Sequence, residues 1–170
     1  FMYSAEGTTA SGSLGRVSNR EYFVKASETV MRLIGKPGGE GAAYRVDVRL
    51  RPHGRVGSLA LSLQDSVRYY KDEARSWERQ TLIRSRPSAG DQQIYRSFFK
   101  AVENDVFSSA ENIDTALQNV YLSKEKINFE RRSDKEFDLK LGRGGIREIE
   151  FIAQALQLAH GGMDPWLRSG

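Results

Sequence analysis

Between Tyr44 and Arg51 the side chains alternate strictly. Tyr44, Val46, Val48 and Leu50 fall on one side, and Arg45, Asp47, Arg49 and Arg51 on the other. A period of two does not fit a helix; it predicts a β-strand with one apolar face and one face carrying a single carboxylate among three guanidiniums. Pro52 ends the ladder because it has no N–H to donate. Gly54 and Gly57 permit a tight reversal, and Leu59, Leu61 and Leu63 resume the alternation, so the stretch reads as a β-hairpin. Two chemistries fit its polar face. In one, Asp47 is screened by its arginine neighbours on a solvated strand. In the other, Asp47 binds a metal ion while Arg49 and Arg51 serve phosphate oxygens, a task suited to a planar guanidinium fork. Alternation alone does not choose between them.

The remaining chain is read around that hairpin. A length of 170 residues bounds one domain or two small ones. The absence of cysteine excludes a disulfide framework and a thiolate metal site, and fits a reducing compartment. No run approaches the length of a membrane-spanning helix, and no secretory leader is visible. The 26 basic residues exceed the 22 acidic ones, mostly interleaved, for a net charge of +4. That balance suits a phosphate-bearing ligand without requiring a nucleic acid.

Phe1-Met2-Tyr3 reads as the end of a strand, and Ser4 to Val17 as a mobile surface loop. Ser18 with Glu21 is a capping signature; Tyr22, Phe23, Ala26, Val30, Leu33 and Ile34 then recur at helical spacing, expected as a core face packed on the sheet. Ser62 with Asp65 caps a further helix, with Val67, Tyr70, Ala74, Trp77 and Thr81 as its inner stripe. Its charged residues are either a solvated face or, through Arg84 and Arg86, a reach toward phosphate. The breaker cluster from Arg86 to Gly90 places a domain boundary, dividing residues 1–88 from 89–170. Beyond it, Asp91 caps a helix with the stripe Ile94, Phe98, Val102 and Val106. Another helix carries Ile113, Leu117, Val120, Tyr121 and Ile127. A short strand is possible near Phe137 to Leu141.

The second informative stretch is Lys140-Leu-Gly-Arg-Gly-Gly-Ile-Arg-Glu-Ile-Glu-Phe151. Gly142, Gly144 and Gly145 precede a helix with the expected core stripe Ile146, Ile149, Ala153 and Leu156. A glycine-rich turn feeding a helix N-terminus offers backbone N–H groups and a positive dipole end, with Lys140, Arg143 and Arg147 around it. The alternative is a flexible turn before an ordinary helix. The spacing is neither a Walker A motif nor a dinucleotide fingerprint. Of the two acids, Glu150 shares a ridge with Ile146 and Gln154 and is the better candidate to face inward.

Three segments together, Tyr44 to Pro52 with Gly57-Ser-Leu, Trp77-Glu-Arg-Gln-Thr-Leu-Ile-Arg-Ser-Arg86, and Lys140 to Ile152, resemble bacterial glutamine synthetase adenylyltransferase. They do so in order and over nearly the whole chain. The resemblance implies an α+β chain: a truncated polymerase-β-like nucleotidyltransferase domain over 1–88, with a short mixed or antiparallel sheet and packed helices, then an all-α bundle over 89–170. That family attaches AMP to a tyrosine of glutamine synthetase and removes it by phosphorolysis, releasing ADP. The Gly144-Gly-Ile-Arg-Glu148 form resembles the removing half. Such folds hold two divalent ions, Mg2+ or Mn2+, on three carboxylates. Asp47 matches the third. The Asp-x-Asp pair and a Gly-Ser nucleotide loop are expected just before Phe1, so the chain reads as a fragment inactive alone.

The resemblance further implies that Arg49 and Arg51 hold phosphate or orient Asp47. Lys140, Arg143, Gly144, Gly145 and Arg147 would form an anion pocket, with Glu150 beside it. ATP or ADP and orthophosphate are the implied substrates. Glutamine synthetase and the PII signal protein are the implied partners, in the cytoplasm, with no membrane or nucleic acid. Three alternatives stay open: a uridylyltransferase of the same nitrogen-regulation circuit, an RNA-binding module on the basic strand face, and a non-catalytic docking module.

Overall fold

The computed structural model describes residues 1–10, 12, 15–36, 41, 44–107, 118, 121, 139 and 145–168. The expected helix around Ile113 to Ile127 and the possible strand near Phe137 lie outside the described residues, apart from Gln118, Tyr121 and Leu139, all exposed. Mixed α and β elements form two compact units, one from Phe1–Ala74 with Arg86–Val102, the other from Arg75–Ser85 with Glu103–Gly170.

In the first unit, β1 (Met2–Tyr3) pairs in parallel with β4 (Leu61–Ser62), and β2 (Thr8–Ala10) pairs antiparallel with β3 (Arg16–Ser18). The second pair corrects the expected loop from Ser4 to Val17. Thr9 and Val17 sit opposite each other in its ladder, where β-branched residues pack well. Helix α1 (Asn19–Gly35) starts where expected: the Ser18 hydroxyl accepts the Glu21 N–H at 3.1 Å. Its Phe23 ring stacks on buried Tyr3 with centroids 4.9 Å apart. The rest of its stripe is not a core face. Val30 is 40% and Leu33 72% exposed, and Phe23, Val30 and Ile34 line an apolar hollow of about 630 Å³ with Ile94 and Tyr95.

The helix expected after Ser62 forms in pieces. Helix α2 (Leu63–Arg68) begins on the Ser62 hydroxyl, which accepts the Asp65 N–H at 3.1 Å, and passes into one wide turn, Tyr69–Glu73. Ala74 and Arg75 are extended, which separates that turn from α3 (Ser76–Thr81). Helix α4 (Gln92–Val106) follows the prediction. The Asp91 carboxylate accepts the Gln93 N–H at 2.8 Å, Phe98 and Val102 are 3% and 0% exposed, and the Phe98 ring meets the edge of Tyr70.

In the second unit, α5 (Ile146–His160) buries Ala155, Leu158 and Ala159. The expected stripe of Ile146, Ile149, Ala153 and Leu156 is instead exposed. Two of the three buried residues are alanines, which let neighbouring chain approach closely. Gly161, just past the helix, lies so near Phe107 that a Cβ there would sit 2.7 Å from the ring. Arg168 covers the other part of that contact, its guanidinium 5.5 Å from the Phe107 ring centre and its Nε donating to the Gly161 carbonyl at 2.6 Å.

Candidate functional site

Tyr44 to Arg51 is not a strand, and the hairpin with 58–63 does not form. The chain here closes on itself. The Asp47 Oδ1 accepts the backbone N–H of Arg49 at 3.0 Å, and the Arg51 N–H donates to the Val48 carbonyl at 3.3 Å. A short acidic side chain that captures a nearby backbone N–H competes directly with a ladder. Tyr44, Val46 and Leu50, the expected apolar face, are exposed.

What the segment builds is a charged loop. The Arg49 Nε lies 3.0 Å from each Asp47 oxygen, and Nη2 donates to Oδ2 at 2.6 Å. These bonds, with the nearby Arg45 charge adding to them, hold the Asp47 carboxyl down at about 2 against its usual 3.8. Arg51 is committed elsewhere. Its Nε donates to the Gly57 carbonyl at 2.9 Å, Nη1 to Val48 at 2.8 Å and Nη2 to Arg55 at 2.7 Å. One planar group thus pins three carbonyls of a single loop, a geometry lysine cannot reproduce. Gly57 has to be glycine, because a Cβ would lie 1.9 Å from the Pro52 oxygen. His53 takes the left-handed conformation at φ 58°, its ring edge-on to Tyr69 and Nε2 3.9 Å from Glu73.

A hollow of about 340 Å³ adjoins this loop, lined by Arg20, His53, Asp65, Arg68 and Glu73 together with apolar Val56 and Leu61. The Asp65 carboxylate takes Arg20 at 2.8 Å and Arg68 at 2.5 Å, while Arg20 also reaches Glu6 at 3.3 Å. The sequence reading passed over Arg20 and His53. No local pattern marks Arg20, whose partners lie 14 and 45 residues away. His53 had a signal, between a proline and a glycine where turns tolerate unusual backbone.

In the second unit, Lys140, Arg143 and Gly144 lie outside the described residues. Gly145 is the buried N-cap of α5. The Ile146 N–H donates to the Leu139 carbonyl at 3.0 Å and the Glu148 N–H to Gly145 at 3.0 Å, so two first-turn donors already have partners. Arg147 lies 5.9 Å from the centre of the Phe151 ring. Glu150 accepts Arg84 at 2.9 Å, and Gln154 accepts Gln80 at 2.9 Å. The ridge expected to face a ligand therefore packs on the segment from 75 to 85, and Arg84, expected to reach phosphate, holds Glu150.

Asp47 was expected to bind a divalent ion. As placed, both its oxygens are clasped by Arg49, and among the described residues no three acidic or histidine side chains gather. The residues present do not by themselves fit a metal ion.

The loop and the glycine-preceded helix are also where known proteins match. A glutamate-ammonia ligase adenylyltransferase profile covers residues 1–101. The chain belongs to the glutamate-ammonia ligase adenylyltransferase family. A PII-uridylyltransferase profile covers residues 115–167. Three relatives are each named bifunctional glutamine synthetase adenylyltransferase/adenylyl-removing enzyme. That of Thioalkalivibrio sulfidiphilus is 37% identical over 99% of this chain, that of Pseudomonas putida 37% over 94%, and that of Xanthomonas axonopodis pv. citri 39% over 87%. This adenylyltransferase-family chain spans only 16 to 17% of their length. Among the described residues no helix is long and apolar enough to cross a membrane.

Proposed function

We propose that this stretch works within a cytoplasmic nucleotidyltransferase that adds and removes AMP on a tyrosine of glutamine synthetase, under PII control, and that it belongs to the removing half. The observation that carries this reading is the family match over residues 1–101, which contain the Asp47 loop. Residues 1–88 are proposed as part of the nucleotidyltransferase domain, and 89–170 as the start of the helical domain. In the removing reaction an orthophosphate oxygen attacks the α-phosphorus of AMP-tyrosine. The bond from phosphorus to the tyrosine oxygen breaks, ADP leaves, and the tyrosine oxygen takes up a proton. The chain's arginines can hold anionic oxygens during that exchange. Mg2+ or Mn2+ belongs to the proposal, with Asp47 the carboxylate this stretch would contribute beside carboxylates from elsewhere in the enzyme.

The match of the PII-uridylyltransferase profile to 115–167 favours a second reading, transfer of UMP to PII. The test supplies a full-length enzyme carrying this stretch with adenylylated glutamine synthetase and orthophosphate. ADP release is expected, and Asp47→Asn should abolish it. Release of ADP at the wild-type rate by that variant removes Asp47 from the mechanism. Labelling of PII from UTP, without ADP release, selects the second reading.

A further inference from the structure

Arg51 is bound into its loop through both backbone and side chain. Its Nε, Nη1 and Nη2 donate to the carbonyls of Gly57, Val48 and Arg55. Its own N–H reaches Val48 at 3.3 Å, and its carbonyl accepts the Gly54 N–H at 2.8 Å. The bonded carbonyls come from both sides of the turn, so the half-buried guanidinium ties its two arms together. Between those arms lies His53 in the left-handed conformation at φ 58°, a backbone state that a non-glycine residue keeps only where its surroundings hold it. Without the guanidinium, carbonyls that converge on one point lose their shared donor. Arg49 differs: its fork faces the Asp47 carboxylate, and both side chains stand in solvent.

We infer that Arg51 is a positioning residue for the proposed reaction: it touches no substrate and fixes the backbone from which Asp47 and Arg49 reach solvent. The inference rests on the reading of this loop as part of the reacting site. It sets Arg51 apart from the phosphate-holding role that the resemblance implies, because every nitrogen of its guanidinium already donates to a carbonyl. An incoming phosphate has to undo the turn to take them. Charge and geometry can be separated at this residue. Lysine keeps the charge but replaces a planar fork with one compact ammonium, which cannot meet carbonyls spread across the turn. A phosphate contact largely survives that substitution, since lysine also binds phosphate as a point charge. Support of the loop does not.

The test compares Arg51→Lys with wild type in a full-length enzyme carrying this stretch. Hydrogen exchange, followed by mass spectrometry, reads the peptide from 48 to 57 and, as a reference, the one around Val102 on α4. Steady-state ADP release from adenylylated glutamine synthetase gives kcat and the KM for orthophosphate. Arg51→Lys should speed exchange at the Gly54 and Gly57 amides by about tenfold or more and leave Val102 slow. It should lower kcat about 10- to 100-fold, as misplaced reacting groups do, with the KM for orthophosphate unchanged. Unchanged exchange in the loop overturns the inference, and so does equal loosening at Val102, which would make Arg51 a support of the whole unit. Loosened exchange with full kcat overturns it too, because the turn would then position nothing. A KM for orthophosphate that rises while kcat holds returns Arg51 to phosphate contact. A wild-type enzyme that releases no ADP removes the functional reading instead, and loop exchange still shows whether Arg51 ties the turn.

Discussion

Helices α1 and α4 are alike in sequence and unlike in use. Each opens on a side-chain oxygen that accepts a first-turn N–H, Ser18 for one and Asp91 for the other. Each carries an apolar stripe at helical spacing. On α4 the stripe is buried from Phe98 onward, through Val102 to Val106, and Phe98 is closed off against Tyr70. On α1 only the Tyr3 end is covered, and the stripe runs out along an open hollow to exposed Leu33. Periodicity identifies which face of a helix is apolar. Whether that face contributes stability depends on what lies against it, and a helix does not encode its own cover.

That contrast can be broken by mutation. Phe98→Ala should cost about 3–5 kcal/mol in chemical denaturation, since it empties a closed site. A loss below about 1 kcal/mol would mean the α4 face is no better covered than that of α1. The two caps should cost the same, about 1 kcal/mol each for Ser18→Ala and Asp91→Ala, because capping is local and indifferent to the opposite face. Leu33→Ser should change stability by no more than about 0.5 kcal/mol; a larger loss would show that the far end of α1 is covered after all.

The smallest effect separates packing from charge. The Asp47 carboxyl should titrate near about 2, by carbon-detected NMR, and return toward 3.8 in Arg49→Gln. A depressed carboxyl contributes stability above its unfolded value and loses it as pH falls from 3.8 through about 2. Titration of wild-type Asp47 at its ordinary value would show that the clasp with Arg49 is not populated.

The caps and the α4 stripe were legible because their causes lie within four residues of one another. The 44–51 segment was not. Its alternation is real, but a strand exists only if another chain segment completes its ladder, and the Asp47 carboxylate took the Arg49 N–H instead. The α5 face was misread because apolar residues stand on both sides of the helix, and which side is buried depends on what packs against Ala155, Leu158 and Ala159. At the site, the residue types at 47, 49 and 51 were legible as charge chemistry. The division of labour was not, because only coordinates show that Arg51 holds carbonyls while Arg49 holds an acid.

The pairing of β1 with β4 has a kinetic consequence. Met2 lies against Leu61 and Tyr3 against Ser62, about 60 positions of chain apart. Joining such distant points costs loop entropy before any contact repays it, so this seam should close late in folding. Yet Tyr3, Ala60 and Ser62, at the seam, are among the most buried residues of the molecule. Amide exchange at Tyr3 and Ser62 should be slow and should occur only when the whole first unit opens.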